Sequence, residues 1–223
     1  MSTNISETSD LESLFGGPAE SIASTAQDIA ALVRDNERYG LEWVRDGNSS
    51  SEMPKWTVEP TIYSIVLTLQ KVIGPQNQYV VEHHWDGVLG KIYFVSYEQN
   101  HFVMRLSLPV CPNIKTESEV ATLRWIYKNT NLPVPRVHHY DSSRTNPIGF
   151  EWILMDRLEG TPLSQCWHDI TQDAKERIVK QVAAYAVVAF EKQFRGIGNI
   201  YPSELNDPES PPRVGEMVSM TLF

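Results

Sequence analysis

The chain has 223 residues with 19 Lys+Arg against 28 Asp+Glu, a formal net charge of −9. That balance argues against a general nucleic-acid binder, which would carry a basic face. The longest apolar run, Val182 to Phe190, is far shorter than the ~20 residues a membrane helix needs, so no membrane partner is expected. An apolar content of 41% suffices for a core, and the length allows one or two domains of roughly 100–200 residues.

Residues 1–30 hold neither an apolar run nor a basic leader, and the first arginine is Arg34, so the sequence reads as cytoplasmic. Cys111 and Cys166 stand apart without metal spacing and read as two free, buried thiols. Residues 1–55 read as a flexible acidic tail followed by a helix. The tail is the Ser-, Thr-, Glu- and Gly-rich first 20 positions. The helix covers Ile22 to Val44, with Ile29, Leu32, Val33, Tyr39 and Trp43 at helical spacing, and Gly47 to Ser51 is a linker by composition. Pro60 opens a strongly apolar helix, Ile62 to Ile73, which Gly74-Pro75 closes.

The period then changes. Tyr79 to Glu82, Ile92 to Val95 and His101 to Leu106 are β-branched and aromatic runs, separated by Asp86-Gly87…Gly90 and by Glu98-Gln99-Asn100. Such short gaps predict an antiparallel meander. Thr116 to Asn129 is helical, with Val120, Leu123, Ile126 and Tyr127 on one side, and Leu132-Pro133-Val134-Pro135 ends it. Val137 to Tyr140 and Phe150 to Met155 are two more strands. A long helix follows over residues 171–194, with Ile178, Val182, Tyr185, Ala186, Ala189 and Phe190 as its buried face, stopped by Gly196-Ile197-Gly198. Strands with one inserted helix make an α+β fold, a five-stranded antiparallel sheet covered on one face.

Several pieces of the chain carry a resemblance. Phe102-Val-Met-Arg105 is a strand with one cation, Thr116 to Arg124 is the helix after it, Leu132-Pro-Val-Pro-Arg-Val137 follows, and Trp152-Ile-Leu-Met-Asp-Arg-Leu-Glu-Gly160 comes last. Together, in this order and spacing, they resemble the aminoglycoside phosphotransferase (phosphotransferase enzyme) family, the small-molecule branch of the protein-kinase-like fold, in its fungal form. The resemblance runs from about Trp56 onward. It implies a kinase-like N-terminal lobe and hinge over residues 56–158 and the start of a helical C-terminal lobe over 159–223. It also implies ATP as the nucleotide and an acceptor that the sequence leaves unidentified.

Each candidate residue has two readings. Gly87 and Gly90 frame the turn that in this fold lies over the phosphates, where glycine lets backbone N–H groups approach oxygen. They also suit an ordinary hairpin. The resemblance gives Arg105 the α/β-phosphates; the alternative is a solvent-facing strand position. Glu119 would pair with Arg105, or else complete a Thr116-x-x-Glu119 capping box, and Glu117 is the lesser candidate for the pair. The resemblance makes Met155 to Leu158 the hinge, with Met155 behind the base and the Asp156 C=O and Leu158 N–H at its edge. A strand end and a turn would look the same.

His139-Tyr140-Asp141-Ser-Ser-Arg-Thr-Asn146 matches the H-x-D-x-x-x-x-N catalytic string of kinases. It precedes the hinge and the long helix, whereas a catalytic loop must follow both, so these residues read as a turn rich in turn formers. His83-His84 lies on one strand with its side chains on opposite faces, which is no metal clamp. With no later H-G-D or D-F-G-like string, the catalytic loop and metal ligands are expected to be absent, Mg to be poorly held, and the chain to be truncated and inactive as written. The competing expectation is a non-catalytic pseudoenzyme or partner-binding scaffold that keeps only the nucleotide lobe. Either way, the 171–194 helix would present a bare apolar face for self-association or a partner.

Overall fold

The computed structural model describes residues 27–29, 31, 33, 38–45, 52–75, 78–203 and 211–218. The expected tail over residues 1–20 and the linker over 47–51 lie outside them.

The centre of the fold is an antiparallel sheet of five strands: β3 (Val80–Asp86), β4 (Gly90–Tyr97), β5 (Asn100–Ser107), β6 (Val137–Asp141) and β7 (Glu151–Asp156). Their order across the sheet is β3-β4-β5-β7-β6. The inserted helix, α2 (Ile114–Asn129), connects β5 to β6. This is the expected α+β architecture. The inner strands β4 and β5 carry the alternation that period-2 geometry demands, whereas β7 is buried on both faces over Glu151–Leu154. On one face, Tyr93, Val95, Phe102, Met104, Leu106, Trp152 and Leu154 form the main core with Ile65 and Leu69 of α1 (Ile62–Val72). Thr61 caps α1, its Oγ1 accepting the Ser64 N–H at 3.1 Å.

The second face is only half covered. Val120 and Leu123 of α2 pack on Val137, Ile153, Tyr140 and Met155, which lie on β6 and β7. Over β4 and β5 the same face leaves Ile92, Phe94, Val103 and Arg105 half-buried.

Three expectations are corrected. First, the helix does not run to Val44: residues 27–29, 31 and 33 are helical, but β1 (Leu41–Arg45) pairs with β2 (Glu52–Trp56) as a hairpin, Leu41 opposite Trp56. Trp56 and Tyr39 pack against Phe150, with ring centroids 4.8 and 6.0 Å apart, so tertiary burial overrides the helical spacing of Tyr39 and Trp43. Second, the long helix α4 is Gln172–Glu191, preceded by one turn, α3 (Leu163–Cys166). No residue of α4 is buried, and Val182 and Phe190 are 59% and 79% exposed. Third, Cys111 and Cys166 are free but only half-buried. Beyond α4, β8 (Ile200–Pro202) and β9 (Pro212–Val214) pair and close onto α2, with Asn199 Nδ2 donating to Ser118 Oγ at 3.0 Å.

Candidate functional site

Arg105 points from β5 to the α2 side of the sheet, opposite in sense to the buried Met104 and Leu106. A cation inside an apolar strand needs a partner. It has one: Arg105 Nη2 donates to Glu119 Oε2, and the two side chains are 25% and 26% exposed. The ion-pair reading of Glu119 therefore holds. The capping-box reading does not, because α2 starts at Ile114 with Asn113 as its N-cap. Asn113 adopts φ 63° and donates its N–H to Glu151 Oε1 at 2.8 Å. Glu117 serves elsewhere, accepting from Tyr140 Oη at 3.1 Å and Ser142 Oγ at 2.5 Å.

The turn between β3 and β4 is closed by the Gly87 N–H donating to the Gly90 carbonyl at 2.8 Å. Gly90 lies opposite Ser107 in the β4–β5 ladder. A Cβ on Gly90 would stand 3.0 Å from the Leu106 carbonyl oxygen and 4.0 Å from Arg105 Cγ, so glycine is what fits where the turn meets the Arg105 stem. At Gly87 a Cβ would clash with the Trp85 ring at 2.3 Å. The base of the turn is fixed from the other face. There the buried Lys91 donates to Asp86 at 2.7 Å and pairs with Glu59 at 2.9 Å. The Lys91 ammonium holds the Asp86 carboxyl below its ordinary pKa.

At the far edge of the open face, β7 ends at Asp156. The Asp156 side chain is drawn back into the sheet: Oδ1 lies 2.5 Å from His138 Nε2, and Oδ2 accepts the Arg136 N–H at 3.2 Å. Asp156 also donates its N–H to the Arg136 carbonyl at 3.0 Å. Met155 sits on the open face opposite Val103, and Leu158 follows in irregular, exposed chain. Thus Gly90, Arg105 and Glu119 come together, Met155 lies on the same sheet face across from Val103, Gly87 closes the turn, and Asp156 and Leu158 mark the end of β7.

The sequence reading missed the floor of that surface. Ile92, Phe94 and Val103 line up across β4 and β5, with Val103 between Phe94 and Met155 in the ladders. It also missed Arg157, whose guanidinium carbon lies 3.8 Å from the Phe94 ring centroid, and His84, stacked on the same ring at 3.8 Å. Strand alternation was the signal that could have found the floor.

The catalytic-looking string is the end of β6, His139 to Asp141, followed by the turn expected from its place in the chain. Asp141 Oδ1 accepts the Ser143 N–H at 2.8 Å, and Asn146 Nδ2 donates to the Phe150 carbonyl at 2.9 Å. Asn146 Oδ1 in turn accepts from Ile148 and Gly149 N–H. Among the described residues, no three His, Cys, Asp or Glu side chains converge as a metal group.

A five-stranded sheet with a cation on its central strand, a carboxylate on the inserted helix and an open face ending at a strand-to-loop hinge is the N-terminal lobe of a kinase-like fold. The model of the phosphotransferase enzyme family matches residues 80–193, half of the chain, and the chain belongs to that family. A subtelomeric hrmA-associated cluster protein of Aspergillus fumigatus is 33% identical over 119 residues, covering 52% of this chain and 23% of its own length. Altered inheritance of mitochondria protein 9, mitochondrial, of Meyerozyma guilliermondii is 28% identical over 188 residues, 81% of this chain and 30% of its own length. Its namesake in Zygosaccharomyces rouxii is 30% identical over 98 residues, 40% of this chain and 16% of its own. The chain spans less than a third of these relatives. No solved structure matches it, and no described helix is long and apolar enough to cross a membrane.

Proposed function

We propose that residues 56–158 bind ATP, and that they serve ATP-dependent phosphorylation of a small hydroxylated molecule. Residues 159–223 then belong to the helical lobe on the other side of the hinge. The observation that carries this reading is the Arg105–Glu119 pair at the edge of an otherwise open apolar face. A half-buried cation whose guanidinium is oriented by a carboxylate presents its remaining donors in a fixed direction, which suits a diphosphate.

The fit is chemical as well as geometric. Ile92 and Val103 offer an apolar floor for a base, between the Phe94 ring held by Arg157 and His84 and the Met155 side chain at the edge of α2. Gly90 keeps the turn's backbone close to the Arg105 stem, and the chain leaves the regular strand after Asp156, where a base edge would pair with Leu158 N–H. Bound ATP supplies the transferable phosphoryl group; the role of these residues is to hold and orient it. No metal ligand is assigned from the described residues.

Isothermal calorimetry with ATP tests the reading. Saturable binding supports it, and no heat at millimolar nucleotide overturns it. No observation favours the non-catalytic scaffold over this reading. The exposed face of α4 supports the expected self-association or partner contact, and sedimentation across a concentration series tests that. The cytoplasmic location expected from the sequence stands beside the word mitochondrial in the names of two of these relatives, and cell fractionation decides between them.

A further inference from the structure

The helix that carries Glu119 has a small apolar hold on the sheet: Val120 and Leu123 of α2 meet β6 and β7. Chain that lies beyond α4 also grips it. Phe194 packs on Trp125 of α2, with ring centroids 4.8 Å apart. Further along, Asn199 Nδ2 donates to Ser118 Oγ at 3.0 Å, and Ser118 is 4% exposed. Ser118 immediately precedes Glu119, so the contact falls on the turn of α2 from which Glu119 reaches Arg105.

Asn199 is itself fixed. Its carbonyl accepts the Gly215 N–H at 2.9 Å, and its Oδ1 accepts the Val218 N–H at 3.3 Å. Gly198 adopts φ 147°, and a Cβ there would run into the Gly215 carbonyl oxygen, so the two segments cross at backbone distance. The buried Tyr201 closes the same crossing, its Oη donating to the Glu216 carbonyl at 2.8 Å. One amide therefore joins two parts of the fold: Oδ1 to the chain after β9, Nδ2 to α2. Ser118 and Glu119 stand roughly 100° apart around a helix. A rotation of α2 that breaks the Ser118 contact also swings Glu119 relative to Arg105.

We propose that Asn199 is a positioning residue for the nucleotide site, holding α2 in the rotation that pairs Glu119 with Arg105. The inference rests on the nucleotide reading above. Asn199 acts through Glu119 and touches no nucleotide itself. The chain beyond the hinge thereby sets the orientation of the cation assigned to the phosphates.

Calorimetry on the full chain tests this with ATP and adenosine. Asn199→Ala should weaken ATP binding about fivefold, the size of one neutral hydrogen bond, and leave adenosine binding unchanged. Asn199→Asp keeps an oxygen for the Val218 N–H and an acceptor for the Ser118 hydroxyl, and should keep most of the ATP affinity. In a Glu119→Ala background, Asn199→Ala should have no further effect on ATP. Unchanged ATP affinity in folded Asn199→Ala, or a loss that adds in full to that of Glu119→Ala, overturns the proposal and leaves the nucleotide reading standing. Wild-type chain that binds neither ATP nor adenosine overturns both. If Asn199→Ala does not fold, Ser118→Ala removes the helix side of the contact, leaves Asn199 its bond to Val218, and decides by the same two criteria.

Discussion

Arg157 reaches from the end of β7 across β5 to lay its guanidinium over Phe94 on β4, 3.8 Å from the ring centroid. His84 stacks at the same distance, and two groups that close to one centroid must take opposite faces of the ring. The arginine therefore takes one face of the ring that stands across from Val103, beside the place where a base would rest. A cation–π contact of this kind is worth about 0.5–1 kcal/mol at a partly exposed site, less than the ~1–3 kcal/mol of stacking a base on an aromatic platform. Arg157→Ala should lower stability by no more than that contact and raise adenosine affinity several-fold, measured by thermal melting and calorimetry. A fall in adenosine affinity would mean that Arg157 clamps the base instead of covering its seat.

The Arg105–Glu119 pair makes a separate prediction. Glu119→Ala frees the guanidinium to move and leaves it partly buried without a partner. A charged hydrogen bond of this type contributes about 1.5–3 kcal/mol. Folding stability should drop by an amount of that order, and ATP affinity should fall about tenfold while adenosine affinity stays constant. If the pair only braces α2 against the sheet, stability falls and ATP affinity does not move.

Asn146 ties the loop between β6 and β7 through its contacts to Phe150, Ile148 and Gly149, and it is 7% exposed. Asn146→Ala leaves buried backbone groups unpaired at about 1–3 kcal/mol each. The expected outcome is a marked loss of stability in denaturant titration. Asp141→Ala should cost less, and ATP affinity should be unchanged in whatever remains folded. Loss of ATP binding in a fully folded Asp141→Ala would restore the catalytic reading of that string.

Glu151 supplies a pH signature. It is 2% exposed, and burial raises its pKa above the ordinary glutamate value despite the Asn113 N–H. Between the ordinary value and the raised one, the folded chain holds a proton that the unfolded chain has lost. Stability therefore falls as pH rises through that window. Glu151→Gln keeps an oxygen for Asn113 and removes the charge. It should flatten this part of the pH–stability curve and stabilise the chain at neutral pH. A steeper curve in the variant would contradict the assignment.

The strands of the sheet were legible because β-branched and aromatic residues cluster in short runs, with short gaps between the first three, and the order of the pieces exposed the kinase-like lobe. The β1–β2 hairpin was not legible. Tyr39 and Trp43 stand four apart, as on a helix, and only packing against Phe150 and the rest of the core decides otherwise. Glu119 was visible as a candidate, but local sequence offered a cap that explained it equally well. The choice depended on Asn113 taking the cap position at positive φ, which no residue pattern announces. Ile92, Phe94 and Val103 were readable as one face of two strands. That this face is the open one follows only from where α2 lies, over β6 and β7. Arg157 is a single cation whose meaning comes entirely from Phe94, remote in sequence.

The most direct test of the central claim is calorimetric titration of ATP into the wild-type chain and into Arg105→Met, with circular dichroism to verify that both are folded. Saturable binding to the wild type, weakened at least tenfold in Arg105→Met while adenosine affinity is retained, is the predicted result. Equal ATP affinity in the two folded proteins, or no binding to the wild type, would contradict the assignment of this sheet face as a nucleotide site.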